Sequence, residues 1–170
     1  MKASCLAVVL GLLSINVACS QSVRQFKLSD CALVVKENGD KIVLGQLADD
    51  AIRILQKQSG TQGLESRVAE GGRVFIKYEY NGLMLLLDSE SRKIVYLDIT
   101  NNKYHLVSGI EVGMPVLQVK TVYSGYEYHE QKRYLLIIAG SDSFEDSIPS
   151  IVFYLENSRV TRIKISYASQ

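Results

Sequence analysis

Short runs of β-forming residues separated by tight-turn pairs dominate the chain beyond its N-terminal apolar stretch. Asn38-Gly39 lies between two apolar runs within residues 31–44, and Asn81-Gly82 lies between two more within residues 74–99. Asn-Gly in this position is the strongest short-range signal for a β-hairpin, because both residues tolerate positive φ. The first pair predicts an opening hairpin. The second pair, with a further apolar run after it, predicts a three-stranded antiparallel meander.

A helix is predicted ahead of this meander and again in the second half of the chain. Residues 47–58 have apolar side chains at helical spacing, with Asp49 and Asp50 in the first turn and Gly60 beyond the end. Acidic residues favour the positive end of the helix dipole, and a glycine commonly follows the last turn. Residues 114–123 show a similar pattern, although their β-branched residues are weaker helix formers.

The second half repeats this order closely enough to predict an internal duplication. Apolar runs occupy residues 134–139, 150–155 and 159–165. A repeated unit of this size cannot bury its apolar face alone, so two copies are expected to pack together. We therefore expect an α+β fold with two copies of a helix plus a three-stranded antiparallel meander preceded by a β-hairpin, the copies lying at about 31–99 and 108–167.

The N-terminus has the residue order of a bacterial export signal. Lys2 precedes an apolar run that ends at Ala18 and Cys19, after which the composition turns hydrophilic, and the run is too short to cross a bilayer as a helix. Residues 1–19 are predicted to be a signal peptide cleaved at or near Cys19, and residues 20–170 a single mature domain in the periplasm. Ordinary signal-peptidase cleavage and lipidation of Cys19 both fit these residues, so an anchor in the envelope stays open.

Removal of the leader limits how the mature domain is stabilised and what it binds. Cys31 is the one cysteine certain to remain, so no internal disulfide is expected and stability must come from a packed core. The whole chain has 19 basic and 18 acidic residues, and loss of Lys2 with the leader leaves equal numbers. Such a neutral domain is not expected to bind nucleic acid.

The sequence contains no evident catalytic or metal-binding constellation. His105 and His129 are the two histidines, and neither has further ligands at metal-binding spacing. Cys31 opens an apolar run, where a thiol packs as a small hydrophobe. The acidic residues around Asp142 lack the spacing of a calcium loop and predict a solvated loop. We expect a protein that is not an enzyme and needs no cofactor or metal.

Tyrosine is the most distinctive residue type, with ten tyrosines and no tryptophan in the chain. Tyrosine supplies large contact area at small entropic cost, and serine and glycine supply adaptable hydrogen bonds. Loops rich in these residues predict a partner-binding surface. Its candidate residues are Ser108, Gly109, Ser124, Gly125, Tyr126, Tyr128, His129, Ser141, Asp142 and Phe144. Phe144 is either a plug in the protein's own core or an exposed anchor for a partner.

Several motifs resemble the repeat of β-lactamase-inhibitory-protein and outer-membrane-lipoprotein (SmpA/OmlA) domains. They are Gly113-Met114-Pro115, Gly125 and residues 153–163, with Gly45-Gln46-Leu47 and Gly60 as a weaker first copy. The resemblance implies a domain that binds proteins without using a catalytic residue. The chain lacks the paired disulfides and tryptophans of the inhibitory proteins, which leaves its target open. Its size, leader and tandem plan also resemble periplasmic immunity proteins against cell-wall amidases delivered by type VI secretion.

These observations favour a periplasmic, protein-binding inhibitor as the function. Its partner would be a secreted cell-wall hydrolase, and it would block the active site of a peptidoglycan-degrading amidase effector as an immunity protein. The alternative is an outer-membrane assembly or structural lipoprotein, which requires acylation of Cys19. A periplasmic hydrolase is a third hypothesis. Contact with a membrane is expected only through a lipid anchor.

Overall fold

The computed structural model describes residues 27–59, 63–138 and 148–168. The predicted signal peptide with Cys19 lies outside the described residues, as do the candidate binding residues Ser141, Asp142 and Phe144. None of the described helices is long and apolar enough to cross a membrane.

The described residues form two α-helices, α1 and α2, and eleven strands, numbered in chain order, after a short 3-10 turn at Leu28–Cys31. The helices are α1 (Ala48–Ser59) and α2 (Val116–Val122). The strands are β1 (Leu33–Val35), β2 (Lys41–Ile42), β3 (Leu64–Glu70), β4 (Arg73–Tyr80), β5 (Leu83–Asp88), β6 (Ile94–Ile99), β7 (Tyr104–Leu106), β8 (Tyr128–Gln131), β9 (Tyr134–Ile138), β10 (Ile148–Glu156) and β11 (Arg159–Ala168).

Eight of these strands form one antiparallel sheet in the order β3-β4-β5-β6-β11-β10-β9-β8. Its centre is the pairing of β6 with β11, which sets Ile99 opposite Ile163 and Leu97 opposite Ile165. A smaller sheet has the order β2-β1-β7. The large sheet therefore joins strands from both halves of the chain, and the small sheet joins β7 to β1 and β2.

The predicted α+β fold with two copies of a helix plus a three-stranded meander is wrong, because the structure is mostly β. Each helix is followed by four strands of the large sheet rather than three, and these eight strands form one sheet, while β7, which precedes α2, belongs to the small sheet. Residues 61–72 and 126–133 have the polar composition of loops in the sequence, but they contain β3 and β8. These are edge strands with mostly exposed side chains, so they lack the apolar alternation by which a half-buried strand is recognised.

Both helices and the small sheet pack on one face of the large sheet, which we call the inward face. Helix α1 contributes Ala48, Ala51 and Leu55 to this core, and α2 contributes Val119. Spacings of three and four residues place the α1 side chains on one side of the helix. At the first turn, Asp49 pairs with Arg92 at 2.9 Å, which ties α1 to the turn between β5 and β6.

The centre of the core is aliphatic on the β6–β11 side and aromatic near α2. Leu97, Ile163 and Ile165 are fully buried. Tyr123, at the end of α2, packs against Phe153 of β10 with 5.7 Å between the ring centroids. Cys31 is also fully buried in the same cluster, in keeping with the expectation that its thiol packs as a small hydrophobe.

Truncation of Ile165 tests whether the central strand pairing stabilises the whole domain. Ile165→Ala should lower the free energy of unfolding by about 2–5 kcal/mol, because it leaves a cavity among fully buried side chains. The matched control is Leu117→Ala, since Leu117 is 72% exposed on α2 and its loss should change stability by less than about 0.5 kcal/mol. Urea unfolding followed by circular dichroism measures both. Equal losses in the two variants would contradict the described core.

The chemistry of Cys31 provides a second test. Burial, with a smaller contribution from Asp30, raises the pKa of the Cys31 thiol well above its ordinary value. The thiolate is the reactive form, so Cys31 should resist iodoacetamide in the folded protein at about pH 8.5 and react on unfolding in guanidinium. Peptide mass spectrometry measures the alkylated fraction. Rapid labelling of Cys31 in the folded protein would mean that the thiol is not buried.

Candidate functional site

The large sheet has a second face, which we call the outward face, on which no described helix or strand packs. Strand alternation sends every second side chain to this face. One row across its centre follows the strand register through Met84, Asp98, Lys164, Val152 and Leu136. Four of these side chains are only partly buried, and Asp98 is buried. The outward face therefore mixes apolar side chains with charges.

Asp98 is a charged residue that is only 2% exposed. Arg162, on the neighbouring strand β11, donates from Nε to Asp98 Oδ1 at 2.6 Å and from Nη2 to Asp98 Oδ2. Tyr96 donates its hydroxyl hydrogen to Asp98 Oδ2 at 3.2 Å. A buried carboxylate is tolerated only when its oxygens accept hydrogen bonds and its charge is paired. Arg162 and Tyr96 meet both requirements.

The contacts around Asp98 shift the pKa values of Arg162 and Tyr96. The hydrogen bond to Asp98 raises the pKa of Arg162. Burial raises the pKa of Tyr96, and the nearby negative charge of Asp98 adds to the effect. At neutral pH the tyrosine therefore keeps its hydrogen as a donor, and the guanidinium keeps its charge.

Two tyrosine rings lie beside the cations. Lys164 Nζ is 4.9 Å from the ring centroid of Tyr154 and 5.9 Å from that of Tyr96, and the guanidinium carbon of Arg162 is 5.8 Å from the centroid of Tyr154. A cation over a tyrosine face within about 6 Å is attracted by the ring quadrupole. We call Tyr96, Asp98, Tyr154, Arg162 and Lys164 the central cluster. Its side chains hold one another in place through hydrogen bonds and cation–ring contacts.

An open cleft of ≈ 390 Å³ borders the cluster on the β4–β5 side. Arg162, Asp98 and Met84 line one part of it, and Glu79 and Thr100 line another. Glu79 pairs with Lys77 at 3.0 Å. No group of three or more His, Cys, Asp or Glu side chains that could hold a metal occurs within the described residues.

Four of the predicted binding residues lie around the C-terminal end of α2, on the inward side. Ser108 is hydrogen-bonded through its hydroxyl to the hydroxyl of Tyr123 at 2.9 Å. Gly109 follows in a turn with a φ of +83°, a conformation that glycine adopts without a steric penalty. Ser124 and Gly125 are exposed beyond the helix.

Tyr126 lies at the same end of α2 and is partly buried. Its ring packs edge-on against Tyr123, with 5.6 Å between the centroids. Much of its contact area therefore faces the protein itself. The structure brings Ser108, Gly109, Ser124, Gly125 and Tyr126 together, with Tyr123 as the common neighbour.

Tyr128 and His129 occupy the edge strand β8 and point to opposite faces. Tyr128 pairs with Ile137, which is an inward residue, and His129 pairs with Leu136, which is an outward one. The His129 side chain is 62% exposed, and its Nε2 is 3.9 Å from Glu127 Oε1. Among the described candidates, Tyr128 and His129 therefore do not share one face of the sheet.

Sequence reasoning missed the central cluster. Its signal is present as two short alternations, Tyr96-Leu97-Asp98 and Arg162-Ile163-Lys164, in which polar side chains flank a core residue. That pattern indicates a strand with one buried face and one functional or solvated face. The alternation predicts a strand in each segment, but it does not show that the two polar faces meet.

Comparison with protein-family models, curated proteins and solved structures found no match for this chain. The resemblance to the inhibitory-protein and lipoprotein repeats remains a hypothesis.

The two partners of the buried ion pair should respond unequally to mutation. Arg162→Met leaves a buried carboxylate without its main partner and should cost about 3 kcal/mol. Asp98→Asn keeps the shape and a hydrogen-bond acceptor, and the Arg162 side chain is 43% exposed and can hydrate, so about 1 kcal/mol is expected. Chemical denaturation of both variants measures the difference. A larger loss for Asp98→Asn would contradict the described geometry.

Proposed function

We propose that the chain is an exported inhibitor that binds a secreted cell-wall hydrolase, as an immunity protein does, and that the outward face of the large sheet is its contact surface. The central cluster is the observation that carries this proposal. Tyrosine and arginine are enriched among the residues that dominate binding energy, and such residues concentrate near the middle of an interface. Tyr96, Tyr154 and Arg162 lie on the two central strands and their neighbour β10.

The size of the outward face supports a protein partner. Eight strands spaced about 4.8 Å apart extend roughly 34 Å, and the six residues of a strand such as β6 extend roughly 20 Å. These dimensions give roughly 700 Å² of face, close to the roughly 800 Å² that each partner contributes to a stable protein interface. A small molecule would cover only part of this area.

Rigidity also favours binding. The central cluster stands on hydrogen-bonded strands, and its side chains are fixed by an ion pair and by cation–ring contacts. A partner therefore pays little entropy for ordering these side chains. An inhibitor that must outlast repeated exposure to its target benefits from this preorganisation.

The leader predicted from the sequence supports the cell-wall setting of the proposal. A domain exported across the inner membrane meets enzymes that act on peptidoglycan, which is where protection by occlusion would be needed. The proposal requires a stoichiometric complex with a hydrolase of that compartment.

The proposal is tested by protection and by binding. The mature chain is expressed in the periplasm together with a peptidoglycan amidase recovered with it from envelope extract, and lysis is followed by optical density. Binding of the purified pair is measured by calorimetry. Tyr154→Ala should weaken the complex by about 30-fold or more, because it removes a central aromatic anchor.

Tyr128→Ala is the matched control, since Tyr128 is an exposed tyrosine on the edge strand and its loss should leave binding within about threefold. If Tyr128→Ala abolished binding while Tyr154→Ala did not, the contact surface would instead include the candidate binding residues predicted from the sequence. If no hydrolase were bound and lysis were unchanged, the inhibitor proposal would be wrong.

A further inference from the structure

Resting on the proposed function, we infer that the central cluster is a carboxylate-binding site, in which an aspartate or glutamate side chain of the protein partner lies against Lys164 and the free edge of Arg162. This inference names the chemistry that the outward face recognises. It follows from the local charge balance, from the donors left free and from the apolar surroundings.

The cluster carries two cations and one anion. Arg162 and Lys164 are positively charged, and Asp98 is the carboxylate that lies opposite Lys164 in the register and accepts from Arg162. Nearby, Lys77 and Glu79 neutralise each other, and His129 lies at the far end of the row. The centre of the face therefore has one uncompensated positive charge, which one carboxylate would balance.

Asp98 has little capacity left for a second cation. Its Oδ1 accepts from Arg162 Nε, and its Oδ2 accepts from Arg162 Nη2 and from the hydroxyl of Tyr96. Among the described residues no carboxylate pairs with Lys164, whose ammonium instead lies over two tyrosine rings. Lys164 is thus a positioned cation whose ammonium has no carboxylate partner among the described residues.

The free donors of the two cations lie near the same ring. The bidentate pair uses Nε and Nη2 of Arg162 and leaves Nη1, and the side chain remains 43% exposed. Arg162 and Lys164 both lie over Tyr154 and are two residues apart on one strand face. A carboxylate has two oxygens and can accept from both donors at once. Binding there would add charge-assisted hydrogen bonds to the central cluster.

The surroundings favour a carboxylate on a protein over a free anion. Met84, Leu86, Val152 and Leu136 are partly buried side chains of the same face. A protein that presents an acidic side chain also brings apolar contacts that cover these residues and exclude water, which strengthens the central charge pair. A small anion would leave these apolar side chains exposed to water.

The test compares Lys164→Met with Lys41→Met in binding to the recovered hydrolase. Lys164→Met removes the charge and keeps an apolar stem, while Lys41 is an exposed lysine on the small sheet. Calorimetry at about 50 and 300 mM NaCl should show that Lys164→Met weakens binding by about tenfold or more at the lower salt and flattens the salt dependence. Lys41→Met should leave both unchanged, and Lys164→Arg should restore most of the affinity.

Zero-length carbodiimide coupling of the same complex locates the carboxylate. The expected product is an amide between Lys164 Nζ and an aspartate or glutamate of the hydrolase, with loss of water, identified by mass spectrometry. If Tyr154→Ala weakens the complex while Lys164→Met leaves affinity and salt dependence unchanged and no such amide forms, the inference is overturned and the proposed function stands. If the wild-type chain binds no hydrolase, the proposed function itself fails and the inference falls with it.

A measurement on the free protein separates the two sources of an anion. NMR titrations of the mature chain with sodium acetate and with sodium phosphate follow the ring signals of Tyr96 and Tyr154 and the Lys164 ammonium. Shifts with acetate that disappear in Lys164→Met support the carboxylate site. Saturation with phosphate and no response to acetate would overturn it in favour of a phosphate ligand.

Discussion

The pairing of β6 with β11 is the interaction on which the rest of the structure depends. It joins β3–β6 to β8–β11 in one sheet and places Leu97 opposite Ile165 in the core. The same register places Asp98 opposite Lys164 on the other face and within reach of Arg162. A slip of one residue would turn these charges into the core and the aliphatic side chains outward. A single register therefore specifies both the core and the central cluster.

Local sequence patterns predicted the elements of this fold better than their assembly. Asn38-Gly39 and Asn81-Gly82 lie at turns between paired strands, and Gly39 and Gly82 have the positive φ that such turns require. Edge strands β3 and β8 escaped prediction because a strand exposed on both faces has no apolar period. The assembly of all eight strands into one sheet was also not predicted, because the pairing of strands that are distant in the chain produces no local sequence pattern.

The site was less predictable than the fold for the same reason. Composition drew attention to Tyr126 and Ser108, but a loop tyrosine can pack on its own protein, as Tyr126 packs on Tyr123. Asp98 and Arg162 are 64 residues apart in the chain, and nothing in either segment alone shows that they meet. The alternation around each was visible, and it identifies which side chains share a face. Only the strand order shows that the polar side chains of β6 and β11 lie on the same face of one sheet.

The strands at the two edges of the large sheet, β3 and β8 among the described residues, have a consequence of their own. An unpaired strand is a template on which another chain can add, and long sheets that do not close are prone to grow into fibres. Strand β3 carries Glu65, Arg67 and Glu70, and β8 carries His129 and Glu130. Charged side chains on an edge strand oppose the addition of another strand. The charged residues of β3 and β8, which break the apolar alternation of a strand, thus also oppose growth of the sheet by addition of further copies of the chain.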